Sequence, residues 1–215
     1  MYTINGHPIR DLRLMMPPKG LSVARVEYLS DELVSGAVTL ANTDGDKCTL
    51  DVAQAGVFVW TGQALLRSAG ALAQVLPPAH FRGVTVEAAV NDALGAAGVP
   101  RDRTVRGSTA PLNYWSRPAS TGASELGALT HAAGPGYTWR VNLDGKVRFG
   151  LETWPVLPDD FPAEVIGEWP SEKTVLVATE RLKLTPGVVW RGLRVEQVEY
   201  EFREDSGMRV TLWRL

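Results

Sequence analysis

The run YTWRVNLDGKVRFG, residues 137–150, decides how this chain is read. Tyr137, Trp139 and Val141 alternate with Thr138 and Arg140, the period of two that a half-buried strand requires. Leu143, Asp144 and Gly145 make the turn, with Gly145 at the position that needs a positive φ. Lys146 to Phe149 returns, placing Val147 and Phe149 beside Trp139. Such a hairpin needs cover for its apolar face, and two upstream segments offer it. TVEAAVNDALGAAG, residues 85–98, puts Val86, Ala89, Val90, Ala93, Leu94 and Ala97 on one helical face. Thr85 is its N-cap, Glu87 lies in the first turn and Gly98 supplies the left-handed stop. Ser124–Ala133 is a second helix, closed by Gly134, with Leu126, Leu129, Thr130 and Ala133 on one face.

Residues 99–122, between these helices, read as a long polar connection. A loop of this length is either functional or held by a partner. Its Leu112–Pro118 segment carries Tyr114, Trp115 and Arg117, residue types enriched at interface hot spots. Plugging the local core is an equally good account of the two aromatics.

On both sides the sequence turns to strands. Arg10–Leu14, Ser22–Tyr28, Gly36–Leu40, Thr49–Val52 and Val57–Trp60 are short β runs separated by turn formers. In the last, Val57 and Val59 oppose Phe58 and Trp60, so both faces of that strand are expected to be covered. Gln63–Val75 fits a helix or two strands equally well. Residues 151–186 are Pro-rich and irregular around Trp154, apart from a strand at Val175–Ala178. Val188–Trp190 and Leu193–Val195 lead into a terminal hairpin. There Val198, Tyr200 and Phe202 alternate with Glu199, Glu201 and Arg203, and Met208, Val210 and Leu212 alternate with Arg209, Thr211 and Trp213. Glu199 and Glu201 would face Arg209 and Arg214 or cations of a partner chain. The expected fold is therefore α+β and mostly β. Two small antiparallel β-barrels, residues 1–81 and 151–215, flank an α+β insertion, residues 82–150, made of two helices and a hairpin.

With 215 residues the chain can bury a sizeable core, and a net charge of −2 gives no general attraction to nucleic acid or anionic lipid. The seven Trp are many for this length, and Trp is frequent at interfaces. Cys48 is the only cysteine, which excludes a disulfide framework and a thiolate metal cage. Neither a signal peptide nor a run of ~20 apolar residues is visible, so a cytoplasmic product, or one released by lysis, is expected.

The search for chemistry returns no reaction. His7, His80 and His131 have no metal-ligand spacing, and His131 suits a helix C-terminus. In residues 122–127, GASELG, the second Gly comes one position late for a nucleophile elbow, and no strand is expected before it. Asp44 with Asp46, and Asp159 with Asp160, are turn carboxylates without the distal Glu of a calcium loop. Cys48, in an alternating strand, reads as a small core residue. No catalytic residue, metal ligand or cofactor site is expected.

The order of parts resembles phage tail hub proteins of the late control protein D group and the hub part of type VI secretion spike proteins. The resemblance is carried by Leu76–Val86 running into an Ala-rich helix, and by Leu129–Gly150, where a helix ends in glycine, a Trp-bearing strand follows and an Asp-Gly turn leads to Phe-Gly. It continues in Leu184–Gly187 and Gly192–Tyr200, which look like the family's second barrel. It covers residues 76–215 in pattern, and the first 75 only as a β-rich region.

The resemblance implies a non-enzymatic baseplate or tail-tip hub, a homotrimer whose six barrels adapt a sixfold tail tube to a threefold spike. Its implied partners are a tail tube or tube-initiator protein and the central spike, with tape-measure and baseplate wedge proteins as further neighbours. Its implied place is the virion tail, assembled in the host cytoplasm, with neither membrane insertion nor reading of nucleic-acid sequence. The contact candidates are Tyr114, Trp115, Arg117, Trp154, Glu199, Glu201, Arg209 and Trp213. A second reading is a tail-associated carbohydrate-binding module using Tyr114, Trp115 or Trp154 as a platform. A third, a cell-wall hydrolase, lacks a carboxylate pair or triad.

Overall fold

The computed structural model describes residues 1–214. In chain order the strands are β1 (Tyr2–Ile4), β2 (His7–Met16), β3 (Val23–Leu29), β4 (Ala37–Asn42), β5 (Lys47–Phe58) and β6 (Thr61–Arg67). Then come β7 (Val75–Leu76), β8 (Ala79–Thr85), α1 (Val86–Ala97), β9 (Pro111–Arg117), β10 (Ser120–Thr121), α2 (Gly122–Ala133), β11 (Tyr137–Val141) and β12 (Val147–Leu151). The last are β13 (Glu164–Trp169), β14 (Thr174–Ala178), β15 (Val189–Trp190), β16 (Leu193–Arg203) and β17 (Gly207–Arg214). As expected, the chain is mostly β with two α-helices. It divides into one compact unit of residues 1–18, 22–68 and 153–215 and another of 19–21 and 69–152.

The first unit is built on one antiparallel sheet. Its order runs β1-β4-β5-β6-β3-β2, and β1 pairs back onto β2, closing a six-stranded barrel. Closure covers the edges that an open sheet would present, except where β5 runs past β4 beyond Asp51. Tyr2, Ile4, Leu12, Leu14, Val26, Tyr28, Leu40, Leu50 and Leu66, from alternating positions, are almost wholly buried. Beyond β2 the sheet continues through β16, β17 and β14 to β13. β16 is eleven residues long: its far half pairs with β2, while Leu193 and Arg194 pair with β15. The break expected at Ala55-Gly56 is absent, since both residues pair regularly with β6; β-bulges lie instead between Val52 and Gln54 in β5 and between Val195 and Gln197 in β16. β13, inside the region expected to be irregular, is held by pairing to β14 across a bulge.

One expectation about β5 fails. Val57, Phe58, Val59 and Trp60 are all exposed rather than covered on both faces. Phe58 pairs with Thr61, so Val59 and Trp60 form a two-residue hairpin loop, with φ of 41° and 67°. That turn prefers Asn-Gly, and left-handed backbone at other residues costs about 1–3 kcal/mol each.

The second unit has a core formed by Val86, Ala89, Val90 and Leu94 of α1, Leu126 and Leu129 of α2, and Trp139, Val141, Val147 and Phe149 of the hairpin. Thr85 caps α1 by accepting from the Ala88 N–H, and Gly98 takes φ 67° at its end. α2 starts two residues earlier than expected, because Thr121 caps it by accepting from the Ser124 N–H. Trp139 lies opposite Phe149, and Gly145 turns with φ 80°. The long polar connection is corrected in part: residues 111–117 form β9, paired with β8. The polar composition hid a strand whose hydrogen bonds are satisfied by β8, a partner on the far side of α1 in sequence.

Candidate interaction surfaces

The contact candidates fall into different settings. In the second unit Arg117 is 2% exposed. Its Nη1 donates to Asp92 Oδ2 at 2.9 Å and its Nε to the Pro77 carbonyl at 3.0 Å. This guanidinium ties β9 to α1 and is withdrawn from any partner. Trp115 is half-buried, and its indole N–H donates to the buried Glu125 carboxylate at 2.7 Å. Tyr114, on the opposite face of the strand, is 68% exposed and remains available. A glycan platform needs neighbouring open rings, and here Tyr114 alone of the strand's two aromatics is open.

Trp154 belongs to the first unit. It is half-buried, with φ 47° and the Arg194 guanidinium 5.5 Å from its ring. Glu199, Glu201, Arg209 and Trp213 lie on the outward face of β16 and β17. Arg209 pairs with Glu201 across the strands, as the alternation implied. Glu199 is not opposite an arginine of β17 but opposite Thr211, and its carboxylate, only 7% exposed, accepts from Arg13 of β2. That contact consumes Glu199 within the chain. Trp213 is half-buried between Gln197 and Thr174.

Across β17, β16, β2 and β3 the outward residues form a charged ladder. Glu201 lies 3.9 Å from Arg13, Asp11 lies 3.8 Å from Arg203, and Arg10 lies 3.5 Å from Glu27 and 3.7 Å from Glu204. Exposed pairs of this kind each contribute only ~0.2–1 kcal/mol, so the ladder's larger effect is on which surfaces it accepts.

Buried polar groups are committed to holding the fold. Asp46, expected in a solvated turn, is 7% exposed and lies 2.8 Å from Arg181 Nε. It also accepts from the Leu182 N–H at 3.1 Å. Arg140 and Glu152 make a two-pronged pair at 2.7 and 2.8 Å. Burial alone would raise the Asp102 pKa, but hydrogen bonds from Thr104 and Asn142 and the Arg148 charge outweigh it and hold the group below its ordinary value. Cys48 is buried, which pushes its thiol up to about 12, so it stays protonated at neutral pH. Among the described residues no group of three or more His, Cys, Asp or Glu is placed to hold a metal ion. None of the described helices is long and apolar enough to cross a membrane.

The surface that sequence reasoning missed is the β5–β6 tip, where Phe58 is 82% exposed, Val59 71% and Trp60 69%. Its signal was present in the sequence: residues 52–66 contain no charged residue. Period-two apolar alternation implies burial only where a second layer covers the strand.

The fold is shared with proteins of phage tails and type VI secretion. No protein-family model matches the chain, and no curated protein matches it in sequence. Solved structures match it over nearly its whole length. One is the Escherichia coli c3393 protein, a type VI secretion component described as structurally similar to the T4 tail proteins gp27 and gp5. It is 9% identical, with a TM-score of 0.66 over 100% of this chain and 77% of that one. Another is the 43 kDa tail protein of prophage MuSo2 from Shewanella oneidensis, 10% identical, with a TM-score of 0.67 over 100% of this chain and 96% of that one. A tail protein from Neisseria meningitidis MC58 is 12% identical, with a TM-score of 0.64 over 98% of this chain and 95% of that one.

Proposed function

We propose that the chain is a non-enzymatic structural component of a phage-type tail or contractile injection system, and specifically its baseplate or tail-tip hub. The observation that carries this reading is the match of the whole fold to two tail proteins and to a type VI secretion component described as similar to gp27 and gp5. The closed barrel and the strands that continue its sheet give each copy two β surfaces. Three copies in a ring would present six such surfaces to a sixfold tube while keeping threefold symmetry for a spike. The charged ladder on β2, β3, β16 and β17 suits a surface that selects tube, spike, tape-measure or wedge proteins by charge. The arginine–carboxylate pairs support a structural role, because the buried ionic groups cross-link elements rather than converge on a cleft.

Sedimentation equilibrium of the purified chain tests the oligomeric part. A species of about 70 kDa, three times the 23.4 kDa chain, is expected. A stable monomer that binds neither tube nor spike protein would overturn it.

A further inference from the structure

The β5–β6 hairpin is built against the rules that keep a strand edge harmless. β4 pairs with β5 only as far as Asp51, and from there to Phe58 the strand's one ladder partner among the described residues is β6. The outer edge of residues 53–58 is therefore unpaired over ~20 Å at a strand's rise per residue. Natural edges are guarded by Lys, Pro or inward charges. Here residues 52–66 supply none of these. The tip then exposes Phe58, Val59 and Trp60 on a turn whose left-handed backbone suits neither a β-branched nor an aromatic residue. Exposed apolar side chains held at a conformational cost point to use by a partner.

The flanks indicate what kind of partner. The Ser30 N–H donates to the Trp60 carbonyl at 3.2 Å, which sets the turn of Asp31 and Glu32 beside the tip. Both acids are exposed, and Leu33 next to them is 59% exposed. An anionic lipid surface would be repelled by this flank. Two copies meeting tip to tip about a twofold axis would bring acid to acid, and a head-to-tail contact in the ring would need a cationic rim on the neighbouring copy. An apolar cleft with a cationic rim satisfies both features.

We propose that this hairpin is an insertion arm. Phe58, Val59 and Trp60 seat in an apolar cleft of a different protein of the same tail, and Lys or Arg side chains on the cleft's rim face Asp31 and Glu32. This rests on the tail reading above.

Hydroxyl-radical footprinting of the free chain and of tail particles purified from producing cells tests it. Oxidation of Phe58 and Trp60 is expected to fall at least tenfold in the particle. Carbodiimide treatment of the particle should join Asp31 or Glu32 to a lysine of another protein. The double variant Val59→Asn, Trp60→Gly should keep or raise the Tm of the free chain while lowering its incorporation at least tenfold. Asp31→Lys with Glu32→Lys should lower incorporation without moving Tm.

If the chain is absent from the particle, the tail reading falls and this one with it. If the chain is present but Trp60 stays as reactive as in the free chain, only the arm is overturned. A crosslink to a second copy would overturn it too, as would cosedimentation of the free chain with phosphatidylglycerol vesicles that is lost in the turn variant. A fall in Tm in that variant would show that the turn serves the fold instead.

Discussion

Trp190→Ala is expected to cost about 3–5 kcal/mol of stability, the range for removing a large aromatic from a packed core. Trp190 is the largest of the fully buried side chains. It sits at the end of β15, opposite Leu193, where the chain turns into the long β16. Val175, Val177, Leu182, Leu184 and Val195 are other buried apolar residues of the same unit. The Arg191 guanidinium caps the ring at 5.0 Å. At ~2–4 °C per kcal/mol for a chain of this size, the Tm should fall by on the order of 10 °C. Trp190→Phe should be far milder. The indole nitrogen has no hydrogen-bond partner among the described residues, so the smaller ring loses volume but also removes an unpaired buried donor. Thermal and urea unfolding of both variants checks this. A loss below ~1 kcal/mol for Trp190→Ala would show that this end is not packed as described.

Asp46→Ala is expected to cost about 2–4 kcal/mol, by two separable routes. Hydrogen bonds to a charged group contribute ~1.5–3 kcal/mol, and the Leu182 N–H would lose its acceptor. Breaking a buried pair also strands its partner, at ~3–5 kcal/mol when both ions are buried. Arg181 is 26% exposed, so water relieves part of that cost. Asn42 and Tyr2 add to the same clamp by donating to the Glu180 carbonyl at 2.6 and 2.5 Å. Together these contacts bind residues 180–182 against the barrel. Asp46→Asn keeps an acceptor without the charge and should lose about half as much. Urea midpoints for the two variants, with equal m-values, would separate the hydrogen bond from the charge. Equal losses would mean that charge dominates.

Much of this fold was legible because local rules and tertiary pairing agree. Thr85 and Gly98 bound α1 as capping chemistry requires, and Trp139 meets Phe149 across an Asp-Gly turn. The terminal hairpin pairs Glu201 with Arg209 as its alternation implied. What stayed hidden depends on partners distant in sequence. β9 looked like a loop because its ladder partner, β8, is a separate polar segment before α1. β13 is defined by pairing to β14 rather than by its own residues. Closure of the barrel rests on the short β1 meeting both β2 and β4, which no local pattern encodes.

The contact residues were less legible than the fold. Residue type pointed to Arg117 and Glu199, yet each is buried against an opposite charge within its own unit. A sequence gives a residue's capacity to bind a partner, while burial decides whether intramolecular groups have already claimed it. Val59 and Trp60 show the converse. Their alternation with Val57 and Phe58 resembles a buried strand, and only the backbone reveals a turn that carries them into solvent.

Cryo-electron microscopy of tail particles carrying the chain is the most direct measurement of the central claim. Three copies in one ring at a single end of the tube, between sixfold tube subunits and a threefold spike, are expected. Copies distributed along the tube or confined to fibres, or a ring of any other number, would contradict it.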